Sequence, residues 1–139
     1  MKTKPISFRP SRSLDSRLDS MRRRSGLPKS RLVEVLTDEA ERMRRYSGIA
    51  FAGPDHRRRA WIIGSHLDVW EVIQAWQDLG QDSEATQERL NLTRQQVSLA
   101  LAYYREFPAE IDDALSLTRR MLDELRAAHP LIEVLRVEE

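Results

Sequence analysis

The side chains able to do covalent or metal chemistry are few and scattered. His56, His66 and His129 stand far apart, with no H-x-x-x-H spacing, and the chain has no cysteine. Zinc-type sites need clustered imidazoles or thiolates, so neither a metal site nor a disulfide is expected. Asp112 and Asp113 are adjacent and point in different directions on a helix, which rules out a paired acid and base. A glycine-rich phosphate loop and a nucleophile elbow are both missing. Trp61, Trp70 and Trp76 suit core packing better than a ligand cage. The expectation is a protein that is not an enzyme and needs no cofactor. Its chemistry is non-covalent, carried by the ammonium and guanidinium groups of Lys2, Lys4, Arg9, Lys29 and their neighbours.

Those cations are unevenly placed. Residues 1–60 hold 16 Lys+Arg against 7 Asp+Glu, a net +9, whereas residues 61–139 hold 7 against 15, a net −8. The formal total of +1 hides this division. A basic half suits nucleic acid and an acidic half suits a different partner, although the halves could also neutralise each other. The cysteine-free composition fits a reducing compartment. The basic N-terminus lacks the apolar stretch of a signal peptide, and no run approaches the ~20 apolar residues that span a bilayer. A cytoplasmic location is expected.

The elements that must position the cations begin at Lys4. In Pro5-Ile6-Ser7-Phe8-Arg9-Pro10, Ile6, Phe8 and Pro10 alternate with Pro5, Ser7 and Arg9, the period of a strand with one apolar face. Pro5 and Pro10 lack an N–H and argue for a short strand, such as one in a two-stranded ribbon. Ser11 or Ser13 can cap a helix with Leu14, Leu18 and Met21 on one stripe. Gly26 suits the position just past its end, and Pro28 the start of the next helix. Leu32, Val33, Leu36, Ala40 and Met43 make a second stripe that runs to about Tyr46. Some 45 residues of this shape bury too little surface to fold alone.

The order strand Ile6-Ser7-Phe8-Arg9, helix Leu14–Met21, turn Gly26-Leu27-Pro28-Lys29-Ser30 and helix from Arg31 resembles the ribbon-helix-helix superfamily of bacterial repressors and antitoxins. The resemblance covers about Lys4 to Met43. It implies a homodimer whose two strands form an antiparallel ribbon in the major groove. It also implies base reading by Ser7 and Arg9, with Pro5 standing where a polar reader is usual. Phosphate contacts would come from Lys29 and Ser30 at the start of the second helix and from Lys2 and Lys4. Pro28 replaces the usual capping hydroxyl.

Residues 47–58, with two glycines and a proline, read as a linker between a DNA-binding domain (1–46) and a second domain (59–128). Ile49 and Phe51 are too apolar for a free linker and are expected to dock. Arg57-Arg58-Arg59 would contact phosphate or the acidic half. Ala60–Ile63, the turn Gly64-Ser65-His66 and Leu67-Asp68-Val69 suggest a hairpin leading into a helix with Val69, Val72, Ile73, Trp76 and Leu79 inward. Asp82 or Ser83 starts a short helix to Leu90. Thr93 and Gln96 form a T-x-x-Q capping box ahead of Val97, Ala100, Leu101 and Tyr104. Pro108 stops that helix, and a last one spans about Ala109 to Ala128. The pair around Asn91-Leu92 is helix-turn-helix-like and would offer Arg94, Gln95 and Ser98 to DNA, but core, dimer or partner-facing roles fit the acidic charge better.

Gly48-Ile49-Ala50-Phe51, Gly53-Pro54, Arg58-Arg59-Ala60, Ile62–Val72, Leu92-Thr93, Ala100–Tyr104 and Pro108–Ile111 resemble a small winged-helix-like domain of bacterial antitoxins. The match covers roughly Gly48 to Ile111, with Ser65-His66 where the family often has Thr-Arg. This resemblance implies a toxin partner with a nuclease-like fold of the PIN type. The apolar, acidic tail (129–139), with Leu131, Ile132, Val134 and Leu135, is expected either to bind that toxin, for example as an added strand, or to fold back on its own domain. The reading is a mainly α protein with minor β: a dimeric ribbon-helix-helix, then a hairpin and a small helical domain. Its expected role is an antitoxin that represses its own operator. A stand-alone repressor, whose second domain mediates oligomerisation or ligand sensing, is the other reading.

Overall fold

The computed structural model describes residues 3–131. Among these residues the chain is mainly helical with a minor β component, as the sequence implies, and it divides into two compact units, 1–59 and 60–139. In the first unit α1 (Arg12–Ser25) packs on α2 (Lys29–Arg45), and β1 (Ile49–Ala52) lies against α2.

Local chemistry sets these boundaries. Ser11 caps α1, its Oγ accepting the Leu14 N–H at 3.2 Å. Gly26 ends α1 in the left-handed region at φ +73°, its N–H donating to the Arg22 carbonyl at 3.0 Å. Pro28 precedes α2 and gives it no side-chain cap; its carbonyl accepts the N–H groups of Arg31 and Leu32. The apolar stripes of α1 and α2 are only partly covered. Leu18 and Leu32 are buried, whereas Leu36 and Met43 are exposed.

Two features differ from the sequence reading. The expected strand Pro5–Pro10 is not present in the single chain: residues 3–11 have no strand structure and pair with none of the three strands. A strand exists only with a neighbour to exchange hydrogen bonds, and this chain supplies none there. Conversely, the stretch read as a linker contains β1; the burial of Ile49 within it is the docking expected of that residue.

Arg58 fastens the segment after β1. Its guanidinium grips Glu39 of α2, with Nη2 to Oε1 at 2.6 Å, and donates to the Gly53 carbonyl at 2.6 Å. Within the chain this arginine therefore pairs with a carboxylate of the basic half, not with the acidic half. Gly53 has φ +104°, and a Cβ there would meet the Arg57 carbonyl oxygen at 2.6 Å.

In the second unit β2 (Arg59–Ile62) and β3 (Leu67–Asp68) pair antiparallel, Trp61 opposite Asp68 and Ile62 opposite Leu67. This is the expected hairpin. Ser65 braces its turn, donating to the Ile62 carbonyl at 2.7 Å and accepting the Leu67 N–H at 3.0 Å. The central helix is α3 (Val69–Asp78), capped by Asp68 with Glu71, and it packs on α4 (Ser83–Leu90), α5 (Arg94–Glu106) and α6 (Pro108–Ala128). Val69, Val72 and Ile73 are fully buried, as suits a helix surrounded on several sides. Asp82 caps α4 through the Ala85 N–H at 3.0 Å. Thr93 and Gln96 form the expected reciprocal capping box on α5. The hydroxyl of buried Tyr103 donates to Glu110, and that of Tyr104 donates to Asp112 at 2.6 Å. The hydrogen bond to the Asp112 carboxylate, reinforced by desolvation, holds the Tyr104 phenol above its ordinary range.

Gly53→Ala is expected to destabilise the first unit by about 1–3 kcal/mol, because it combines a backbone collision with a left-handed φ. A thermal melt followed by circular dichroism checks this; an unchanged midpoint would show that the loop relaxes freely.

Candidate nucleic-acid interface

The basic groups of the first unit considered for nucleic acid lie on three pieces of backbone. The first is the segment before α1, with Lys4 and Arg9 exposed. Ser7 is exposed beside them, and Ile6 and Phe8 are 94% and 58% exposed. Lys2 lies outside the described residues. The second piece is the C-terminal end of α1, where Arg22, Arg23 and Arg24 complement the helix dipole. The third is the start of α2, with Lys29 and Ser30.

Lys29 does not project freely in the single chain. Its ammonium is held by Asp15 at 2.9 Å and Asp19 at 2.8 Å, both on α1. The hydrogen bonds that the ammonium donates to these carboxylates, Asp19 first, raise the Lys29 pKa above its ordinary value. The same contact with Lys29 holds Asp19 below the usual carboxylate range. This clamp ties the start of α2 to the flank of α1. Sequence reading missed it, although its signal was present: Asp15 and Asp19 are one turn apart on α1 and are the only two carboxylates before Glu34.

The clamp changes the electrostatics of the surface. Both carboxylates among the first 31 residues are engaged by Lys29, while ten Lys and Arg lie in the same stretch. Arg9 and Arg12 are exposed and have no carboxylate partner among the described residues. Ser30 is exposed in the first turn of α2, beside backbone N–H groups that point along the helix axis. Over residues 1–31 the net result is an excess of positive charge, with both carboxylates of that stretch at the Lys29 clamp.

The second unit offers less to an anion. Arg94, Gln95 and Ser98 are exposed on α5, as a recognition helix would have them, but Gln96 beside them is turned to the hairpin, its Nε2 3.4 Å from the Ile63 carbonyl. Leu131, named from sequence for partner binding, is 97% exposed. Ile132, Val134 and Leu135 lie outside the described residues. Among the described residues no group of three His, Asp or Glu is arranged to hold a metal ion, and no helix is long and apolar enough to cross a membrane. Comparison of the chain with protein-family models, with curated proteins and with solved structures returns no match.

The clamp fixes a pH dependence at both ends. Asp19, with its folded pKa lowered, stabilises the α1–α2 pair above the ordinary carboxylate value of about 3.9, and this is lost as pH falls through the lower folded value. Lys29, with its folded pKa raised, contributes fully below about 10.4, and its contribution is lost as pH rises through the higher folded value. Lys29→Met is expected to flatten the melting midpoint at both extremes while lowering it near neutrality. A pH series of melts showing parallel curves for the two proteins would contradict the clamp.

Proposed function

We propose that the chain is a DNA-binding antitoxin that acts as a homodimer and represses its own operator. One observation carries the DNA-binding half of this reading. An extended segment with Ile6 and Phe8 exposed precedes two helices that bury only Leu18 and Leu32 between them. A second copy would supply the missing strand partner and the missing core at once. Burying Ile6 and Phe8 would contribute about 1.5–3 kcal/mol for each side chain.

The other face of such a ribbon would carry Ser7 and Arg9 into the major groove. The Arg9 guanidinium suits bidentate contact with guanine, worth about 1–3 kcal/mol of discrimination. Lys2, Lys4 and Ser30 would contact phosphate, joined by Lys29 if phosphate displaces one of its carboxylates. Arg12, which the sequence reading left out, stands next to the reading segment and would join them.

The antitoxin part of the proposal rests on the sequence resemblance of the second unit and on charge. An acidic, apolar C-terminus containing Leu131, Ile132, Val134 and Leu135 suits the cationic groove of a PIN-type nuclease toxin.

Fluorescence anisotropy with the duplex immediately upstream of the coding sequence tests the reading. Arg9→Ala is expected to weaken binding about tenfold, within the range for one bidentate contact, and to relax preference at one position of each half-site. Truncation after Pro130 should leave DNA binding unchanged and abolish the complex with the co-expressed product of the adjacent reading frame. Unchanged affinity on removing Arg9 would contradict the ribbon, and a toxin complex that survives the truncation would contradict the role of the tail.

A further inference from the structure

The helix α6 changes character along its length. Ile111 and Leu115 are buried in the second unit, but Met121 and Leu125 are 57% and 41% exposed. At 3.6 residues per turn, Ala114, Leu117, Met121, Leu125 and Ala128 all lie within about 40° of one line along the helix. That line is about 100° away from the direction of Ile111 and Leu115; along it Ala114 and Leu117 are half-buried, and Met121, Leu125 and Ala128 are exposed.

Two properties of this line point to its occupant. The spacing of the five apolar residues, three-four-four-three, is symmetric about Met121, with small alanines at both ends and leucines flanking the methionine. An antiparallel second copy would therefore meet the same pattern, with Met121 against Met121, Leu117 against Leu125, and Ala114 against Ala128. The charges are self-complementary in the same frame. Arg120 and Glu124 lie on one flank of the line, and an antiparallel copy brings each beside the other's counterpart. Neither takes part in an ion pair among the described residues. Arg119 and Asp123 fall on the opposite side of the helix, away from the contact.

We propose that the C-terminal half of α6 is a self-association surface, on which α6 of a second copy packs antiparallel about a two-fold axis at Met121. Five apolar positions on each side form a small interface, so this contact alone is weak and concentration-dependent. It gains strength wherever another contact already joins the copies. If the N-terminal ribbon pairs as proposed above, the α6 contact is a second joint between copies, within one ribbon dimer or between dimers. The α6 contact itself does not depend on that reading.

The absence of native cysteine makes the test clean. In the full chain, Met121→Cys places thiols on the axis and Arg119→Cys places them on the far side of the same helix. Under a mild copper–phenanthroline oxidant, Met121→Cys is expected to form the intermolecular disulfide at least about tenfold faster, since paired helices hold the thiols at a high effective concentration. Adding Arg120→Glu should slow that cross-link, and adding Glu124→Arg as well should restore it. Equal rates at the two positions would overturn the proposal. So would a cross-link that Arg120→Glu slows but the double charge exchange fails to recover. Melting curves of every variant, and the Arg119→Cys rate, separate failure of this contact from misfolding and from loss of the ribbon.

Discussion

The first unit does not contain enough apolar surface in the right places to close its own core. Between Thr3 and Arg59 only Leu18, Leu32 and Ile49 are buried hydrophobic residues, whereas twelve are buried among the described residues of the second unit. The two units are thus different physical objects. The second is built around α3, whose valines and isoleucine are covered by three helices. The first is a pair of helices braced by polar contacts at their ends, with Ile6, Phe8, Leu36 and Met43 left in solvent. Ordering some fifty residues opposes folding strongly, and burial of three side chains offsets little of it. This deficit is the reason for placing a second copy against the first unit.

Electrostatics within that unit follow from the same economy of contacts. With little core to hold α1 on α2, the Lys29 clamp to Asp15 and Asp19 and the Arg58 grip on Glu39 fix the ends of the elements. Exposed ion pairs are individually modest, so these contacts set geometry more than they supply stability. They have a second consequence. The carboxylates nearest the N-terminus are occupied by Lys29, with Arg22 also beside Asp19, and Arg9 and Arg12 stay without a carboxylate among the described residues. In the second unit the acidic start of α6 is put to structural use instead, with Glu110 and Asp112 accepting from the tyrosines of α5.

Local signals were the most legible part of the sequence. Ser11, Gly26, Asp82 and the Thr93–Gln96 box mark helix ends through hydrogen bonds made within a few residues, and each lies where its chemistry requires. The hairpin around Ser65 was legible for the same reason. Contacts distant in sequence were not. Nothing local distinguishes Arg58, which grips Glu39, from Arg57, and Lys29 reads equally as a phosphate ligand or as the partner of Asp15 and Asp19. The strand β1 was hidden because the glycines and proline around Ile49–Ala52 have the composition of a connector. The segment Pro5–Pro10 shows the opposite case: its period is that of a strand, yet a strand is not a property of one chain. The candidate DNA-contacting residues were legible as charge and alternation, but their arrangement toward one another depends on a partner that a single sequence does not contain.

Amide hydrogen exchange of the N-terminal segment tests the central claim most directly. If two copies pair through Ile6–Arg9, amides in this segment exchange slowly at high protein concentration, in the alternating pattern of an antiparallel ribbon, and lose protection on dilution. Exchange at the rate of an unstructured peptide, at concentrations where the protein sediments as a dimer, would contradict the account.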